Sequence, residues 1–148
     1  MDERSGIMTW LFPPVIEGRG ALGLLLLRLV VGAAFLAHGW GKIQSPFSWM
    51  PPDAPVPGIL QALAAVAEFF GGGLGFIAGF LMPLAALGVL ATMTVAVLFH
   101  VGQGDPFVAA GPGQGSFELA LVYWTIALLM LLIGPGRYSL DAQLFQRR

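Results

Sequence analysis

No cysteine occurs in the 148 residues, which excludes disulfides, iron–sulfur ligation and thiol redox chemistry by this chain itself. Any electrons it handles must pass through something bound or brought by a partner. Charge is nearly as scarce. Only 10% of the residues are charged and 57% are hydrophobic, against about 25% charged in ordinary globular chains, so the whole polypeptide is expected to be one membrane domain. The net charge of −1, with no basic run, offers nucleic acid no surface. Near the start, Ile7-Met8-Thr9-Trp10-Leu11-Phe12-Pro13-Pro14 is too short and too broken by proline for a signal-peptide core.

What the chain does have is four long apolar stretches, 21–41, 58–80, 84–101 and 117–133. Each reaches about the 17–25 residues needed to cross roughly 30 Å of hydrocarbon as helix. The expected fold is all-α, a polytopic membrane four-helix bundle over residues 21–134. An interfacial arm (1–20) with Trp10 as a belt residue precedes it, and a short tail (135–148) follows. Arg4 and Arg19 before the bundle and Arg137, Arg147 and Arg148 after it place both termini in the cytoplasm by the positive-inside rule. The Pro-rich loop 43–57 and the Gly-rich loop 102–116 then face outward. The second and third helices are joined by so short a turn that they must be antiparallel neighbours. Pro83 suits the first turn of the third helix, where a missing N–H costs nothing.

Several ionisable residues sit at depths where a bilayer should exclude them. On the first helix Arg28, His38 and Lys42 fall within an arc of about 80° at roughly 100° per residue. The second carries Glu68 near mid-membrane, along a stripe with Ala64, Gly72 and Gly75. The third has Gly88, Thr92, Ala96 and His100 at successive four-residue steps, and the fourth aligns Glu118 with Thr125. Four such stripes are expected to line a common polar interior. An unpaired charge at the centre of a spanning helix costs at least ~2.5–3.5 kcal/mol, and pairing is the least costly solution. Arg28 and Glu68, on antiparallel helices, are within reach of each other on this reading. His38, Lys42, His100 and Glu118 converge near the outer surface.

Each of these residues also has a plainer reading. Arg28 and Glu68 can be a buried pair that fixes helix register, Glu118 a first-turn acid stabilised by the helix dipole, and the two histidines interfacial groups bonded to loop backbone. Paired axial ligation of haem is not required by the spacing of His38 and His100, and no haem is expected. No metal is expected either, because the Lys42 cation repels one on the same face. The run Gly71-Gly72-Gly73-Leu74-Gly75 lacks the strand and the Lys-Ser/Thr of a phosphate loop. It suits close helix packing, or a local break in the second helix beside Glu68.

Two segments carry a resemblance. Arg28-Leu29-Val30-Val31-Gly32 leading into His38-Gly39-Trp40-Gly41-Lys42, and Gly134-Pro135-Gly136-Arg137-Tyr138-Ser139-Leu140-Asp141 after the fourth helix, resemble the DoxX family of small four-helix bacterial and archaeal membrane proteins. Glu68 followed by glycines and Glu118 opening the fourth helix belong to the same likeness. In the C-terminal string, glycines end the helix, Arg137 is placed among headgroups, and Asp141 is its partner or the cap of a short terminal helix. The resemblance implies a subunit in the bacterial or archaeal cytoplasmic membrane linked to redox chemistry. Relatives of the DoxD type are associated with thiosulfate-dependent quinone reduction, others with oxidative-stress complexes.

The expected function is therefore a small integral subunit or accessory protein of a redox membrane complex, with membrane-protein partners or copies of itself, and with quinone as the small molecule it contacts. Arg28, His38, Lys42, Glu68, His100 and Glu118 are the candidate polar pocket, and Glu68 and Glu118 the candidate proton relay. No self-sufficient catalytic motif is present. The alternative is a non-catalytic subunit that packs against other spanning helices, and a solute or proton pathway comes third.

Overall fold

The computed structural model describes residues 13–145. The expected interfacial arm with Trp10, and the tail arginines Arg147 and Arg148, lie wholly or largely outside that range. Among the described residues the chain is all helical: α1 (Gly18–Gln44), α2 (Gly58–Ala78), α3 (Met82–Gly102), α4 (Glu118–Ile133) and a short α5 (Leu140–Leu144). The first three are long and apolar enough to span a membrane. At 1.5 Å per residue the 16 residues of α4 reach only about 24 Å, so α4 is apolar but shorter than the rest.

Apolar sequence makes these helices, and small residues decide how they pack. A Cβ on Gly32 would lie 2.5 Å from Ile77 and 3.0 Å from the Gly73 carbonyl, and one on Gly39 would lie 3.0 Å from the Phe69 backbone. The α1 and α2 backbones therefore approach more closely than any side chain would allow. Between these contacts Phe35 lies across Gly72, whose own Cβ would meet the ring at 2.7 Å. On its other side α2 rests on α3 through Gly71 and Gly75 against Ala85, and through Ala67 against Gly88.

One helix serves two partners this way because α2 is not α-helical throughout. Ala67–Gly75 is a π-helix, a wider coil that is usually short and often functional. The expected break beside Glu68 is this widening, which turns Gly72 and Gly73 toward α1 while Gly71 and Gly75 face α3.

The bundle centre is apolar. Phe35, Phe76, Val89, Met93, Ala127 and Met130 form its core. The Phe35 ring lies 6.3 Å from Phe76, edge-on, and 4.8 Å from Tyr123. This corrects the expectation of a shared polar interior: the polar stripes of α2 and α3 flank a lateral groove, and Glu118 and Thr125 of α4 line a separate cavity.

Candidate functional site

Two polar clusters emerge, one toward each end of the helix pair α1 and α2, and the first of the two segments that carry the family likeness contributes Arg28 to one and Lys42 to the other. At the turn between α2 and α3, Gly79 (φ +62°) and Leu81 (φ +48°) are both left-handed. Gly79 has no alternative there, because a side chain would run into the Arg28 guanidinium and Ser139. Arg28 is fully buried and donates to the Tyr138 carbonyl, while the Asp141 carboxylate attracts it. Its Nε and Nη1 have no hydrogen-bond acceptor among the described residues, and Asp141 acts on its charge through the field rather than through a direct ion pair.

Asp141, also fully buried, accepts from the backbone N–H groups of Leu81 and Met82, both at 2.8 Å. These are unsatisfied donors at the start of α3. Ser139 caps α5 by accepting from Ala142 N at 3.2 Å. The Gly-Pro-Gly exit thus folds the chain back so that Asp141 completes the turn between two other helices.

This geometry overturns two expectations. Arg28 does not reach Glu68: the contact of Gly32 with Gly73 and Ile77 puts Arg28 about one turn further along, level with Gly79. Gly79 is eleven residues from Glu68, roughly 16 Å of helix at the α-helical rise. Asp141 neither pairs with Arg137 nor caps its own helix. Arg137 instead lies 3.6 Å from Glu17 at the exposed surface.

Toward the other end of α2, Lys42 donates to both oxygens of Glu68 at 2.7 Å. The Glu68 side chain is 3% exposed and the Lys42 side chain 25%. The Gly39–Phe69 contact sets this register, carrying Lys42 one turn past Phe69 where its long stem can bend onto Glu68. The ammonium also lies 4.5 Å from the centre of the Trp49 ring, a cation–π contact. Trp49 is itself fixed, its Nε1 donating to the Gln61 carbonyl at 2.9 Å. The Gln61 side chain accepts from Met50 N at 3.0 Å and donates to the Val56 carbonyl at 2.9 Å, stapling the Pro-rich loop onto the start of α2.

Beside this pair runs an apolar groove of about 1230 Å³ between α2 and α3. Ala64, Glu68, Gly71 and Gly75 line one wall, and Gly88, Thr92, Ala96 and His100 the other; Lys42 and Trp49 stand toward one end and Leu140 at the opposite end. The small-and-polar stripe of α3 faces the groove along its whole length. His100, near the groove mouth, bonds through Nδ1 to the Asp105 carboxylate at 2.7 Å.

Of the six candidate residues, the structure therefore brings Lys42, Glu68 and His100 onto one groove. Arg28 belongs to the opposite cluster. His38 is exposed, its ring 6.2 Å from Tyr123. Glu118 is exposed in the first turn of α4, beside a smaller cavity of about 270 Å³ shared with Phe107 and Thr125. Sequence reasoning missed Gln61 and Asp105. A glutamine in the first turn of an apolar helix and an acid five residues after His100 were the available signals.

The DoxX family model matches residues 23–102, from α1 through the end of α3. The chain is 33% identical over 123 residues to the inner membrane protein YqjF of Escherichia coli K12, covering 81% of this chain and 90% of the relative. It is 32% identical over 127 residues to an uncharacterized protein of Haemophilus influenzae, covering 84% and 92%. It is 30% identical over 122 residues to the inner membrane protein YphA of E. coli K12, covering 80% and 87%. No solved structure matches significantly. With the family match spanning more than half the chain and the relatives aligned over nearly their full length, this protein belongs to the DoxX family.

Proposed function

We propose that this protein is a small integral subunit of, or accessory to, a quinone-linked redox complex of the bacterial inner membrane, and that its lateral groove holds the quinone species. The observation that carries this reading is the groove itself. It is long, apolar and open to the side of the bundle, with an ion pair and a hydroxyl among its lining groups, which suits an amphiphile with a compact polar head and a long apolar tail. With no cysteine in the chain, electrons reach the head through a bound group or a partner. This chain's part is to orient the head beside Glu68 and to exchange protons near the mouth, where His100 and Asp105 meet the loop. The basic residues flanking the bundle support a topology with both termini cytoplasmic, which points the Lys42 end of the groove outward.

The test is extraction of the tagged chain from its native membrane in mild detergent, followed by identification of every protein and organic-soluble molecule that stays with it. Co-purification of an oxidoreductase together with a quinone is the expected result. A chain that emerges with neither would refute the reading.

A second reading draws on the size of the groove walls. Ala64, Ala67, Gly71, Ala85, Gly88 and Ala96 line it, the kind of surface on which another spanning helix packs closely. On that reading the protein is a non-catalytic assembly subunit, and a complex carrying Lys42→Met with Glu68→Leu would assemble and turn over normally.

A further inference from the structure

The Lys42 end of the groove is lined by the Pro-rich loop as well as by helix, through Trp49, Met50, Pro55, Val56 and Pro57. Gln61 ties this loop to α2. Its backbone carbonyl accepts from Trp49 Nε1, and its side chain accepts from Met50 N and donates to the Val56 carbonyl. None of these bonds involves an ionisable group.

Lys42 ties the same loop to α1 by a different means. Its ammonium lies 4.5 Å from the centre of the Trp49 ring while donating to both Glu68 oxygens at 2.7 Å. One cation thus joins three parts of the chain: the helix that carries it, the carboxylate of α2 and the indole of the loop.

Glu68 is what keeps the cation there. An ammonium without an anion is costly at membrane depth, and Lys42 lies in the last turn of α1, where its long stem can carry the charge out to headgroups and water instead. The titratable side chains lining the groove are Lys42 from α1, Glu68 from α2 and His100 from α3, and α4 supplies none among the described residues. His100 is engaged with Asp105. No carboxylate other than Glu68 lines the groove among the described residues, so Lys42 has no substitute for it there.

We propose that Glu68 governs the Pro-rich loop through Lys42: the carboxylate holds the ammonium against Trp49, and a proton on Glu68 frees Lys42 to leave the indole, so that the loop opens at this end of the groove. Nothing in this coupling depends on what the groove holds. Loss of the cation–π contact corresponds to about a two- to thirtyfold rise in the population of the open loop. Gln61 still holds, so the loop opens more often without coming away.

The six methionines make the test direct. The Met50 amide donates to Gln61 Oε1 and reports the loop, whereas the Met82 amide donates to Asp141 at the opposite end of the groove and reports the fold. Amide hydrogen exchange is followed by NMR on the full chain, carrying isotope-labelled methionine, in lipid nanodiscs. Glu68→Gln, which imitates the protonated acid, should speed exchange at Met50 by the factor given above and leave Met82 unchanged. Lys42→Met with Glu68→Leu removes the cation together with its anion and should speed Met50 to the same extent, so the test survives a misfolded Glu68→Gln. Exchange at the parent rate at Met50 in either folded variant overturns the coupling. Acceleration of Met50 and Met82 together also overturns it, because the pair would then be holding the whole bundle rather than the loop.

Discussion

Asp141 caps a helix that begins about sixty residues before it: its carboxylate accepts from the N–H groups of Leu81 and Met82 at 2.8 Å. The same carboxylate lies in the field of the buried Arg28 guanidinium. One side chain thus satisfies a helix N-terminus and lends its field to a buried cation.

Replacing Asp141 with Ala removes both roles. A lost cap costs about 1 kcal/mol, and the buried Arg28 guanidinium loses the field of the carboxylate as well, so the loss exceeds that of the cap alone. Asp141→Ala should lower the thermal midpoint in detergent substantially, as followed by circular dichroism. Asp141→Asn, which keeps one acceptor, should fall between the parent and Ala.

Lys42 and Glu68 should behave as a unit. Either Lys42→Met or Glu68→Leu alone leaves a largely buried charge without its partner and should cost about 3 kcal/mol. The double replacement should recover most of that loss, because a buried pair is often exchangeable for apolar residues. A thermal-unfolding double-mutant cycle measures the coupling, and additive losses would show that the two side chains do not depend on each other.

Gly72 should tolerate no side chain while Phe35 is present. Gly72→Ala drives a methyl into the ring, and overpacking of this kind costs about 1–3 kcal/mol. Phe35→Leu in the same chain should restore part of the midpoint. If Gly72→Ala melts with the parent, the helices are less tightly apposed than described.

Gln61 should hold the Pro-rich loop. Its replacement by Ala frees the backbone at Met50 and Val56, and chymotrypsin should then cut at Phe47 or Trp49 several-fold faster, while α2 itself stays protected. Mass spectrometry of the early fragments reads this directly.

The helices were legible in the sequence because hydrophobic stretch length is a direct signal of spanning segments. The same holds for Pro83 in the first turn of α3 and for the α3 stripe that lines the groove. The partner of each buried charge was not legible. Arg28 and Glu68 each need an opposite charge, but which one is within reach depends on how far α1 slides along α2. That register is set by Gly32 against Gly73 and Gly39 against Phe69, contacts made by the lack of a side chain and invisible to hydropathy. Asp141 was unreadable for another reason: its donors are backbone groups about sixty residues away, which no residue type announces.

The widened coil at Ala67–Gly75 makes the length of α2 a matter of angle as much as of distance. Removing one residue from this stretch would scarcely shorten the molecule, but it would rotate everything before the deletion relative to everything after it, by somewhat less than the ~100° of an α-helical residue. Glu68 would swing off Lys42, and the start of α2 would carry the loop stapled by Gln61 away from the groove mouth. Natural variants that gain or lose a residue here should therefore differ in what the groove holds before they differ in how well the bundle folds.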